Sequence, residues 1–166
     1  MNLYRSLLFL ALTGASAASL AAEAEDTPPA PSVFVNKAAL DGMAEVELGK
    51  IALNKSQDPQ VRQFAQRMVT DHGKANEELA ALAKSKGIEA PSSLDAEHRT
   101  MIANLDREVG AAFDRAYCEH MVMDHNKAIA LFESATKTSD PELAGFAKKT
   151  LPTLEKHRQM AEKLPD

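Results

Sequence analysis

The sequence predicts an all-helical fold: four long helices paired as two hairpins, with a short extra helix in the connection between them. Three observations predict it. The 166 residues are 45% apolar but only 5% aromatic, with no Trp, and Ala, Leu, Lys and Glu abound, as in helical proteins. Apolar residues recur at three- and four-residue spacing through four long stretches. Two Asp-Pro turns, Asp58-Pro59 and Asp140-Pro141, are each followed at the same offset by Phe-Ala, at Phe64-Ala65 and Phe146-Ala147. That internal repeat reads as helix, turn, helix, twice over.

The chain opens on a different pattern. Residues 1–22 carry a short basic start with Arg5, an apolar run from Leu7 to Leu12 and small-residue sites up to Ala22. This is the pattern of a secretory signal peptide, and the run is too short for a transmembrane anchor. Residues 23–32 are Pro-rich and acidic and predict a flexible leader. The bundle is expected over 33–164. On this reading the mature protein is exported, to a periplasm or its equivalent. A single cysteine, Cys118, suits an oxidising compartment because it cannot form an internal disulfide, and its place on an apolar face predicts a buried thiol.

The first helix is expected over about 33–54. Asp58 is an N-cap with Pro59 at the first helical position, so the second helix starts there and runs to a stop at Gly87. After the loop at Pro91, Asp95 opens a short segment with Met101, Ile102, Leu105 and Val109 at helical spacing, interrupted at Gly110. A long helix follows over about 111–138. Asp140-Pro141 starts the last, which runs to about Leu164, with Pro152 expected to kink it.

Four polar residues fall within the apolar stripes, one per long helix. His72 lies among Val61, Ala65, Met68, Leu79 and Ala83. His125 lies among Tyr117, Met121, Ala128 and Phe132, and His157 among Leu143, Phe146, Leu154 and Ala161. On the first helix Leu40, Met43, Ala44 and Ile51 flank Glu47, whereas Glu45 points with Lys37, Asp41 and Lys55 toward water. At about 1.5 Å per residue, all four groups sit near mid-bundle. Imidazole and carboxylate suit zinc, copper, iron or nickel, so Glu47, His72, His125 and His157 are the candidate metal ligands. Asp71 and Asp124 are candidates to orient the histidines from behind. Met43, Met68 and Met121 each precede an inward group by one turn, which adds a soft, copper-like note, although methionine is also a routine core filler. The competing reading is that the layer holds no metal and only fixes helix register.

A net charge of −5 without a basic stripe argues against a nucleic-acid partner. No nucleophile–base order, phosphate-binding glycine loop or paired catalytic carboxylates stand out, so no catalytic residues are assigned. A second copy of the chain or another envelope protein remains an open partner class.

The stretches GMAEVELGKIAL, FAQRMVTDHGKANEEL, AAFDRAYCEHMVMDHNKAIALF and AKKTLPTLEKHRQMA resemble domain-of-unknown-function family 4142. The resemblance covers nearly all of 33–164. It implies a ferritin-like four-helix bundle and export, and family members are often labelled outer membrane proteins. The family's activity is unknown, so it supplies no site residues. The wider ferritin-like class implies a di-iron carboxylate site, which needs Glu-x-x-His on two helices. Here Val69 stands three residues before His72 and Leu154 before His157, so that site is not expected. A barrel is not expected either, since alternating strands are missing. The sequence thus predicts an exported bundle with a mid-bundle transition-metal site of zinc, copper or iron, against a structural or stress-related envelope bundle without metal.

Overall fold

A computed structural model describes residues 27–165. Its regular structure is entirely helical: α1 (Pro31–Lys55), α2 (Pro59–Ser85), α3 (Ala96–Leu105), α4 (Gly110–Ala135) and α5 (Pro141–Ala161). The signal sequence expected over 1–22 and the first leader residues, 23–26, lie outside the described residues. The leader is shorter at its other end than expected. Pro31 and Ser32 belong to α1, because Pro31 occupies the first helical turn, where its missing N–H costs nothing.

The Asp-Pro starts behave as their chemistry requires. The Asp58 carboxylate accepts from the Gln60 and Val61 amides, and Asp140 accepts from Glu142 and Leu143. Each cap satisfies amides that the first turn leaves without partners. Phe64 and Ala65, and Phe146 and Ala147, are buried at matching places. Gly87 ends α2 at φ +65. The Ile88 amide reaches back to Ala83 O and the Gly87 amide to Lys84 O, a glycine C-cap that puts Ile88 against the core.

The connection departs from expectation in one place. Val109 is not on the short helix. It is extended, 72% exposed, and immediately precedes α4. α3 ends at Leu105 and the chain turns before Gly110, at φ +57, opens α4, so Val109 cannot continue the stripe of Met101, Ile102 and Leu105. α5 passes through Pro152 and ends at Ala161.

Each hairpin is antiparallel, and the hairpins meet through α1 against α4 and α2 against α5. Phe34 near the start of α1 packs on Phe132 near the end of α4, while Lys55 at the end of α1 lies over Phe113 near the start of α4. α1 and α4 are therefore antiparallel too. α2 and α4 consequently run the same way, and the chain from 86 to 109, with α3 on α1 and α4, climbs the length of the bundle to join them. Lys86 bridges to Asp140 and Glu142 and ties the hairpins at one end.

The core has two parts. One is built around Phe34, Leu79, Phe132, Leu143 and Phe146. The other is built around Leu48, Phe64, Met68, Phe113, Tyr117 and Met121. Between them lies a polar layer.

Candidate metal centre

α1 and α2 approach closely because α1 presents Ala38, Gly42, Gly49 and Ala52 to the core. A β-carbon at Gly49 would stand 2.9 Å from Val69 Cγ2 and 3.0 Å from the Ala65 carbonyl. These small residues define the true inner stripe of α1, and Glu45 lies on it. The expectation for Glu47 is therefore corrected. Its side chain is 48% exposed and pairs with Lys50, whereas Glu45 is only 3% exposed. Bulky Leu40, Met43 and Ile51 had pulled the inferred stripe around the helix, away from the small residues that mark close packing.

The three histidines are where the sequence places them. His72, His125 and His157 are buried, their ring centroids 5.3–5.5 Å apart. One ligand atom from each lies within 4.8 Å of the others. Each ring has one nitrogen held by an oxygen. His72 Nδ1 lies 2.7 Å from Glu45 Oε2. His125 Nδ1 donates to the Met121 carbonyl at 2.8 Å, with Glu45 Oε1 at 3.2 Å. His157 Nε2 donates to Asp71 Oδ2 at 2.9 Å. The other nitrogens, His72 Nε2, His125 Nε2 and His157 Nδ1, are buried with no hydrogen-bond partner.

That division of labour is chemically specific. An acceptor behind one nitrogen fixes the N–H there and leaves a lone pair on the other. Buried polar atoms ordinarily find a partner, because leaving one unpaired costs about 1–3 kcal/mol. Once all three rings are neutral, these three nitrogens together present lone pairs to one electron-pair acceptor. The residues present thus fit a transition-metal ion bound by three imidazoles. Tyr117, adjoining the layer, has a buried hydroxyl that also lacks a partner.

Asp71 lies behind His157 and accepts from its Nε2. Asp124 does not orient His125. It pairs with His120, its neighbour one turn back, at 2.7 Å, and with Lys127. Adjacent residues on a helix point about 100° apart, so Asp124 faces outward while His125 faces in.

The electrostatics follow from burial and proximity. Burial pushes the Glu45 carboxyl up, but the charges of His72 and His125 and the His72 hydrogen bond together outweigh it and hold it down to about 2. Burial opposes charge on His72, and Glu45 overrides it, so His72 sits above the usual imidazole value. His157 is pushed down to about 4, by burial first and then by the His72 charge, with Asp71 opposing. Without a metal the layer is therefore a Glu45–His72 ion pair beside a neutral His157.

A domain of unknown function, DUF4142, matches residues 15–164 of the sequence. The chain belongs to the DUF4142 family. No curated protein matches it. Among solved structures, a DUF305 fragment from Deinococcus radiodurans superimposes with a TM-score of 0.70 at 19% identity, covering 82% of this chain and 95% of that one. CopM in its Cu(I)-bound form superimposes with a TM-score of 0.68 at 16% identity, covering 81% of this chain and 94% of CopM. At such identities the likeness is one of fold. This DUF4142 protein shares their helical bundle, and no described helix is long and apolar enough to cross a membrane.

Proposed function

We propose that this protein is an exported, non-catalytic metal-binding bundle that holds one transition-metal ion on His72, His125 and His157, with copper(I) the best-suited ion. The observation that carries the reading is the set of three buried, partnerless ring nitrogens, each backed by an oxygen on the opposite side of its ring. Glu45 replaces Glu47 as the carboxylate of the centre. It acts through His72 and His125, as Asp71 acts through His157.

Charge favours a monovalent ion. Counting only fully buried groups, three neutral imidazoles, one copper(I) and the Glu45 carboxylate sum to zero, whereas zinc or iron(II) leaves a net positive charge; the Asp71 carboxylate, 36% exposed, is screened by solvent. Uncompensated buried charge is costly. Imidazole is a good copper donor, and the solved copper(I) form of CopM shows a similar bundle bound to that ion. Export rests on the sequence of residues 1–22.

The test is metal content. Untagged protein, stripped and incubated separately with copper(I), zinc, iron(II) and nickel, then dialysed, is expected to retain about one copper per chain. His72→Ala, His125→Ala and His157→Ala should each lose it, and Glu47→Ala should not. Substoichiometric retention of every metal sinks the reading and favours the alternative, a layer that only sets helix register through the Glu45–His72 pair.

A further inference from the structure

The three histidines have almost no exposed surface, so an ion needs a way in. A tight cavity of about 20 Å³ touches Glu45 and His72 from inside the bundle, and Asp41 is on its wall. Asp41 also lines a second, much larger space of about 690 Å³, the groove between α1, α3 and α4. Asp41 is thus common to the walls of the groove and of the cavity next to His72. A void of about 10–15 Å³ suffices for a single water, so the inner cavity has room for little more than one water, whereas the groove is roomy.

The groove holds the donor types that a soft cation selects. His98, His120, Met101 and Met123 line it together with Asp41 and Asp124. Met123 is 47% exposed, one of few large apolar side chains so placed among the described residues. It lies three residues after His120, so the two share a face of α4. His120 Nε2 is buried and lies 2.7 Å from Asp124 Oδ2, but the contact lacks hydrogen-bond geometry. His98, by contrast, is clamped on both sides, by Asp95 at 2.7 Å and by Asp41 at 3.2 Å. It therefore holds Asp41 in place and is not itself a free donor.

We propose that this groove is an outer capture site for copper(I), with His120 and Met123 as its ligands and Asp41 as the carboxylate leading from it to Glu45 and the buried histidines. The proposal rests on the metal-binding reading above. Thioether with imidazole suits copper(I), and a two-ligand site lining the groove binds more weakly than a buried three-ligand one, as a loading site must.

Stopped-flow transfer of copper(I) from a chromophoric chelator to metal-free protein tests it. His120→Ala/Met123→Ala should slow loading by about tenfold, within the spread usual for association rates among variants, while the copper retained at equilibrium stays the same. In His72→Ala/His125→Ala, tight retention should vanish and a weaker copper association should remain, itself lost when His120 and Met123 are also replaced. Unchanged loading in the groove variant, or no weak association sensitive to His120 and Met123, overturns the capture site and leaves the buried centre standing. If wild type retains no copper, both fall. The substituted groove residues lie outside the core clusters, and circular dichroism of each variant checks that it is folded.

Discussion

Glu45 faces two imidazoles from a fully buried position, and its ionised state is held by them. In the metal-free protein Glu45→Gln keeps the shape and removes the charge. His72 can then shed its proton instead of remaining a lone buried cation, so the cost is that of a broken buried hydrogen bond, about 1–3 kcal/mol, read by urea denaturation. The pH dependence has a definite sign. Glu45 is depressed from 4.5 to about 2, so its contribution is present above 4.5 and is lost as pH falls toward 2. His157 is depressed from 6.5 to about 4. Between those values the unfolded chain binds a proton that the native state refuses, so stability declines as pH falls through that window. His72 is raised above 6.5, and its contribution is present below 6.5 and lost as pH rises through its folded value. Denaturation midpoints of metal-free protein from pH 4 to 8 should therefore fall on the acid side of 6.5. A flat or rising acid limb contradicts the assignment. Asp71 accepts from His157, and Asp71→Asn should weaken copper binding by about 10–100-fold, the usual effect of removing a ligand's supporting acceptor. Competition titration measures it.

The register of each helix decides which polar side chain enters the layer. On α2, α4 and α5 the large apolar residues mark the buried face, and His72, His125 and His157 were legible from their spacing. On α1 that signal misleads, because the face toward α2 is made of small residues. The pattern that identifies Glu45 is Ala38, Gly42, Gly49 and Ala52, at three- and four-residue spacing around it. A rule counting bulky residues passes over it. Two glycines test this picture in opposite directions. Gly49→Ala gains about 1 kcal/mol of helix propensity, yet its β-carbon would press on the Ala65 carbonyl and Val69. Overpacking against backbone costs about 1–3 kcal/mol, so a net loss of stability is expected. Gly145→Ala has nothing within 4 Å of the new carbon and should gain roughly 0.5–1 kcal/mol. Thermal melts of the pair should move apart, and a stabilising Gly49→Ala would contradict close packing of α1 on α2.

Across the whole molecule, the two hairpins divide the centre evenly. α1 and α2 bring Glu45 and His72, and α4 and α5 bring His125 and His157. The fold was readable because the Asp-Pro caps, the glycine stop at Gly87 and the repeated Phe-Ala are local signals that agree with the global pattern. The crossover was less so. Val109 keeps helical spacing with its predecessors, but the positive φ of Gly110 is a backbone fact that spacing does not carry. The histidine layer was visible as a set of misplaced polar residues. Its specificity, one nitrogen tied and one free on every ring, depends on side-chain rotamers and on acceptors from other helices, and only the folded chain supplies those. That specificity also distinguishes a metal centre from a register device. Long-range proton–nitrogen NMR of the histidine side chains, before and after one equivalent of copper(I), measures it directly. The metal-bound signals should be Nε2 for His72 and His125 and Nδ1 for His157, with the opposite nitrogens protonated. Unperturbed core histidines, or perturbation at His98 and His120 alone, would contradict the buried centre.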